Sequence, residues 1–139
     1  MIYNLIVVYS KDFRHVLFCK RKKGPYQGLY NFVGGKKEEN ETDLEGAYRE
    51  LFEETHIGKD NIDLVHLMNF DYCLDSTVVQ VFVGALKEDQ TVYGDENALC
   101  WLGHDHDFFD PCVFAGEGNI GHIFEHIRIS KARIFGPSV

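Results

Sequence analysis

The chain has 139 residues, of which 45% are hydrophobic and 14% aromatic, so a single domain spanning 1–139 with a buried core is expected rather than a disordered polymer. Fourteen Lys and Arg against 22 Asp and Glu leave a formal net charge of −8, which argues against duplex nucleic acid as a partner, because that needs a basic face. No apolar run approaches the roughly 20 residues of a membrane span, the N-terminus has no signal-like start, and Cys19, Cys73, Cys100 and Cys112 show no paired spacing, so a cytoplasmic protein with reduced thiols and no membrane partner is expected.

Residues 3–9 are apolar and β-branched, and residues 15–20 alternate through Val16 and Phe18; both predict strands, with Asp12 in the turn between them. Lys20-Arg21-Lys22-Lys23 is the only dense basic run. It reads equally as a solvated strand end and as a phosphate patch, with Arg21 and Lys23 as candidate substrate contacts. Gly24-Pro25 and Gln27-Gly28 mark a loop. Residues 29–33 predict a short strand entering Gly34-Gly35, where two glycines allow backbone to approach a ligand closely.

Thr42 with Glu45 three residues on forms a capping box, so a helix starts near Thr42, and Gly58 is the predicted stop. At 100° per residue Leu44, Ala47, Tyr48, Leu51 and Thr55 make its buried stripe. Glu50, Glu53 and Glu54 cluster on the adjoining flank, in the half of the helix where the dipole disfavours carboxylates. Glu50 with Glu53 and Glu50 with Glu54 are like-charge neighbours, each costing roughly 0.2–0.5 kcal/mol. Arg49 relieves part of this through Glu53 and Glu45. A hard, oxygen-seeking cation such as Mg²⁺ or Mn²⁺ would relieve the rest.

The stretch from Gly35 to Ile57 resembles the Nudix box, the signature of the Nudix hydrolases: glycine, five residues, glutamate, seven residues, then Arg-Glu-aliphatic-any-Glu-Glu-any-Gly-aliphatic. Gly35, Glu41, Arg49, Glu50, Leu51, Glu53, Glu54 and Ile57 match. His56 stands where the family usually has glycine, which puts the turn at the helix end in question, and Asn40 and Val33 replace a frequent glycine and proline. The resemblance implies an α/β fold of the Nudix type, an α/β/α sandwich with a mixed, curved β-sheet between helices. It implies metal-dependent hydrolysis of a nucleoside diphosphate linked to a second moiety, with Mg²⁺ (or Mn²⁺) as cofactor. By the box, Glu50, Glu53 and Glu54 are metal ligands, helped by the backbone of Gly35, and Arg49 orients Glu53 or its neighbour. Glu38 is a weaker ligand candidate. The general base comes from the box or from a later loop, so Glu53 and Glu96 are both candidates, with Glu53 ahead.

After the helix, residues 62–74 predict a long strand with Leu64, Met68, Phe70 and Tyr72 on one face. Residues 77–86 predict its hairpin partner across Asp75-Ser76. A polar loop holds Glu96, residues 99–102 form a short strand, and 120–129 form a helix packing through Ile120, Ile123, Phe124 and Ile127. Residues 131–139 are expected to fray in part. His122-Ile-Phe-Glu125-His126 matches the His-x-x-Glu-His of inverted zinc peptidases, but no acid, histidine or cysteine follows to supply a third ligand, leaving only His104 and His106 for that role.

The basic run and the glycine loop together resemble the MutT-like branch, which implies cleavage of a nucleoside triphosphate, oxidised purines included, to monophosphate and pyrophosphate. ADP-ribose and dinucleoside polyphosphates are the alternative substrates, and a non-catalytic nucleotide sensor the alternative class. All box carboxylates are present, which favours the enzyme. Asparagine can both donate and accept, so Asn31 and Asn119 are candidate base readers, although Asn119 also reads as a helix cap. Tyr26, Tyr30 and Phe114 are candidate stacking rings. The expected partner is a small-molecule nucleotide, and the sequence leaves monomer and homodimer both open.

Overall fold

β1 (Ile2–Tyr9) and β5 (Thr77–Ala85) pair in parallel along their whole length and form the spine of a mixed sheet in the computed structural model, which describes residues 1–136. β4 (Val65–Tyr72) adds antiparallel on β5. On the other side, β2 (His15–Lys20) meets β1 only at Tyr9 and Val16, beside their turn. It then diverges to pair with β6 (Ala98–Gly103) along its length and with β3 (Tyr30–Asn31) at its end. Residues 33–37 fill the wedge that opens between β1 and β2. Ile6 N–H donates to Val33 at 2.8 Å, Asn4 N–H to Gly35 at 2.8 Å, and Lys37 N–H to Ile2 at 2.9 Å. The glycine loop is therefore stitched to the central strand.

β1 is apolar almost throughout because both of its faces are covered. Ile6 and Val8 pack with Leu17, Ala47, Leu51 and Ile57 under α1 (Asp43–Thr55). Val7 and Tyr9 pack with Phe18, Phe32, Ile120, Ile123 and Ile127 under α2 (Asn119–Ile129), and Ile134 and Phe135 of α3 (Lys131–Phe135) pack against that second cluster. The result is the expected α/β/α sandwich around a curved, unclosed mixed sheet.

Thr42 caps α1 as expected: its hydroxyl accepts from Glu45 N–H at 3.1 Å and the Glu45 carboxylate accepts from Thr42 N–H at 2.8 Å. Glu45 is thereby committed to the cap and not to Arg49. Leu44 does not join the buried stripe; it is 42% exposed. Polar bonds hold the first turn instead, from Gln80 Nε2 to Asp43 at 2.9 Å and from Lys37 to Asp43 at 3.1 Å. The helix stops at His56, which adopts the left-handed conformation (φ 65°, ψ 20°) and donates its N–H to Phe52 O at 2.8 Å. Gly58 is not the stop.

The predicted strand over 62–74 is shorter, and its faces switch. A β-bulge between His66 and Met68 shifts the register, so Leu64 points to the α1 side while Met68 and Phe70 face α2. Cys73–Asp75 form a 3₁₀ turn that closes the hairpin, with Ser76 left-handed. The strand expected over 29–33 reduces to Tyr30–Asn31 plus a bridge from Val33 to Ile6. Residues 131–135, expected to fray, form α3, with Phe135 edge-on to Phe13 at 4.9 Å; the rest of that expectation, on 137–139, lies outside the described residues. All four cysteines are free, and no helix among the described residues is long and apolar enough to cross a membrane.

Candidate active site

The wedge beside β1 opens into a cleft of ≈ 470 Å³, within the range of small-molecule sites. One wall is the glycine loop and α1, with Gly34, Gly35, Glu50 and Glu54. The opposite wall is β4 and the start of α2, with Phe70, Tyr72, Asn119 and Ile123. Glu50, Glu54 and Glu96 cluster at one end; the aromatic and amide groups occupy the other. A polyanion with an attached ring system matches this polarity once a cation or basic group offsets the carboxylates.

Gly35 is required by contact. A Cβ there would lie 2.5 Å from the carboxyl carbon of Glu50, so only glycine lets the loop close on that side chain. Gly34 N–H points at Glu54, at 3.4 Å from Oε2. Burial raises the Glu54 carboxyl to about 7; Glu50 and Glu96 push the same way, and the Gly34 bond and Arg21 only partly oppose them. Burial also raises Glu50, against the pull of Arg49. Two carboxylates that resist ionisation side by side, with oxygen the only donor atom on offer, fit a hard divalent cation. They are not a finished cage: among the described residues no three His, Cys, Asp or Glu side chains converge as a preformed ion site.

Arg49 explains why. Its guanidinium grips Glu41 with two bonds of 2.8 Å, from Nε and Nη2, and Nη2 also donates to Lys36 O at 3.1 Å. This charge-assisted fork holds the Glu41 carboxyl down at about 2. Nη1 reaches Glu50 at 3.1 Å and Glu53 at 3.2 Å, with Glu38 at 3.7 Å on the rim. Glu41, not Glu53, is thus the main partner of Arg49. Glu53 lies on the outer flank with its side chain 56% exposed, whereas Glu54 points inward.

Glu96 arrives from the 87–97 loop and lines the same end of the cleft as Glu50 and Glu54. Arg21 also lines the cleft, and its Nε is buried without a partner among the described residues. Lys23, by contrast, is exposed and does not line it. Gly35 O already accepts from Asn4 N–H, which leaves one lone pair for a ligand.

Asn31 and Asn119 both reach the cleft. Asn31 Oδ1 accepts from Phe32 N–H at 2.8 Å. Asn119 is not the helix cap: Gly118 occupies that position, and Asn119 Nδ2 donates instead to Tyr72 OH at 2.9 Å. Of the three candidate rings only Tyr26 lines the cleft, where its OH donates to Glu117 at 2.9 Å. Phe114 is buried in the core and Tyr30 packs against Phe18 and Phe114, and neither lines the cleft. Phe70 and Tyr72 line the cleft with Tyr26.

Asn4 went unread in the sequence. It is 2% exposed, its Oδ1 accepts from Gly35 N–H at 3.0 Å, and its Nδ2 has no partner among the described residues. The one polar side chain within an otherwise apolar stretch of strand was the available signal. His122 and His126 lie 3.3 Å apart on the outer face of α2, while His104 bonds Phe13 O and His106 packs on Phe108, so neither of those joins the pair as a third ligand.

Comparison with known proteins agrees with this geometry. Residues 4–107 match the NUDIX domain family model. The oxidized purine nucleoside triphosphate hydrolase of Mus musculus is 32% identical over 82 residues, which cover 59% of this chain and 51% of the mouse protein; the match thus spans about half the length of that relative. The NUDIX domain of Shewanella oneidensis NrtR, solved in complex with ADP ribose, superposes with a TM-score of 0.74 at 17% identity, covering 94% of this chain and 88% of that one. A MutT NUDIX hydrolase from Burkholderia pseudomallei gives 0.69 at 22% identity over 91% and 96%. At these identities the structural likenesses bear on the fold.

Proposed function

Since this chain belongs to the NUDIX domain family, we propose that it is a metal-dependent pyrophosphohydrolase of nucleoside diphosphates linked to a second moiety, and that its substrate is a nucleoside triphosphate, oxidised purines included. The observation that carries the reading is the two-ended cleft: Glu50, Glu54 and Glu96 at one end, Asn119, Tyr72 and Phe70 at the other. Glu50 and Glu54 would hold Mg²⁺ or Mn²⁺, with Glu53 able to join by leaving Arg49. When bound, the cation offsets the charge of the diphosphate and makes its phosphorus a better electrophile.

The chain's own residues supply the rest. Arg49, fixed by Glu41, restrains Glu50 and Glu53 and keeps the flank of α1 from repelling itself apart. Arg21, which lines the cleft and whose Nε is buried without a partner among the described residues, would face the phosphates. We take Glu96 as the general base: it lines the main cleft, whereas Glu53 lines only the adjoining hollow beside Glu50, Glu54 and Glu96 and is held by Arg49. Glu96 takes a proton from the attacking water as the water oxygen bonds to a phosphorus of the α–β diphosphate link and the bridging P–O bond between the α- and β-phosphorus breaks. For a triphosphate the products are monophosphate and pyrophosphate.

Asn119 and Asn31 read the base in this account. The mouse relative, an oxidized purine nucleoside triphosphate hydrolase, favours that substrate class. The ADP ribose bound by the Shewanella domain makes ADP-ribose the second reading. Asn119→Ala or Asn31→Ala should raise KM for an oxidised guanine triphosphate more than for the unmodified one, by the roughly 1–3 kcal/mol of a lost polar contact. Steady-state kinetics on both nucleotides decide it. A wild-type ratio in both variants would remove these residues from base reading, and a wild type faster on ADP-ribose than on any triphosphate would favour the second reading.

A further inference from the structure

His56 occupies a left-handed position that a glycine would fill without strain, so its side chain must be explained by what it touches. The ring stacks on Tyr93 with centroids 3.9 Å apart and planes 12° from parallel. Nδ1 lies 2.8 Å from Tyr93 O, and because a carbonyl oxygen only accepts, Nδ1 carries the hydrogen. Backbone bonds strengthen the junction: Tyr93 N–H donates to Thr55 O at 3.2 Å, and Gln90 Nε2 donates to His56 O at 3.2 Å. Next in the chain, Gly94 packs directly on the Glu54 carbonyl, so closely that a Cβ would clash. At its far end the loop is tied by Lys22 N–H to Asn97 Oδ1 at 3.1 Å. Glu96 lies between these two anchors, facing Glu50 and Glu54.

We propose that His56 is a positioning residue: by clasping Tyr93 it fixes the loop that presents Glu96 to the carboxylate end of the cleft. The inference rests on the assignment of Glu96 made above. It accounts for a side chain at a helix terminus where backbone conformation alone calls for none. A ring stacked over Tyr93 restricts the peptide planes on either side of it, and Glu96 is only three residues away. Loss of the clasp therefore widens the arc that the Glu96 carboxylate sweeps, while the nucleoside end of the cleft, built from β4 and α2, keeps its shape.

The test uses His56→Gly, which keeps the left-handed turn and removes the ring, and His56→Asn, which tolerates the same turn without the stack. Each is made in the wild-type background and in Glu96→Gln. Amide hydrogen exchange at Tyr93, whose N–H is bonded to Thr55 O, needs no turnover and should accelerate at least about tenfold in both single variants. kcat should fall about tenfold or more, with KM for the nucleotide within about twofold, because misplacing a reacting group by an ångström is costly. In the Glu96→Gln background the same changes should leave kcat unaltered, since the group being positioned is gone. Unchanged exchange, or a loss of kcat that persists in full beside Glu96→Gln, overturns the clasp. A wild-type kcat in Glu96→Gln alone overturns the assignment of Glu96 and this inference with it; slow Glu96→Gln beside unimpaired His56→Gly overturns only the clasp.

Discussion

Glu54→Gln should nearly abolish turnover and at the same time stabilise the metal-free protein above pH 7. Glu54 points into the cleft, and burial raises its carboxyl to about 7 from a usual 4.5. Below about pH 4.5 it is protonated both folded and unfolded, and nothing is lost. As pH rises from there toward 7, the unfolded chain releases its proton before the folded one does, so stability falls; above 7 the full penalty is present. The shift corresponds to at most about 3 kcal/mol, less any relief from a rearranged side chain. Glutamine is neutral at every pH and can still accept the Gly34 N–H. Thermal unfolding in chelator should therefore show equal midpoints for wild type and variant near pH 4 and a higher midpoint for the variant at pH 8. Activity should fall by more than the 10–100-fold typical of losing a group that merely supports a metal ligand. A variant that is no more stable at pH 8, or that retains ordinary kcat, would place Glu54 outside this role.

Glu96→Gln is expected to lower kcat by about 10²–10⁴-fold with the fold intact, as removal of a general base does. Glu53→Gln should cost less, because Glu53 is more than half exposed and its carboxylate is turned toward Arg49. Metal dependence separates base from ligand: Glu53→Gln should raise the metal concentration needed for half-maximal rate, while Glu96→Gln should leave it near the wild-type value. If Glu53→Gln is the slower enzyme at saturating metal, the base is Glu53.

The carboxylate end of the cleft was legible in the sequence because it is local. Glu50, Glu53 and Glu54 share one helix, Thr42 and Glu45 cap it, and Gly35 precedes it at fixed spacing, so helical geometry alone places them. The opposite end was not, because strand pairing builds it. Phe70 and Tyr72 reach it on β4, and a single bulge at His66–Met68 decides which face Phe70 takes. Asn119 reads in the sequence both as a candidate base reader and as a helix cap, because Asn favours that position, yet Gly118 turns left-handed and takes the cap. Tyr30 and Phe114 read as stacking rings because composition does not distinguish a ligand-facing aromatic from a core one. His56 read as a departure from the resemblance; its partner Tyr93 lies 37 residues away, on a loop with no periodicity to betray the contact.

The proposed chemistry is tested most directly by measuring turnover of the untagged wild-type protein on a nucleotide panel of nucleoside triphosphates, oxidised purine triphosphates, ADP-ribose and dinucleoside polyphosphates, with products identified and Mg²⁺ present or chelated. The account predicts nucleoside monophosphate and pyrophosphate in equal amounts from a triphosphate, with turnover lost in chelator and restored by Mg²⁺ or Mn²⁺. No cleavage of any diphosphate linkage, or full turnover in chelator, would contradict it.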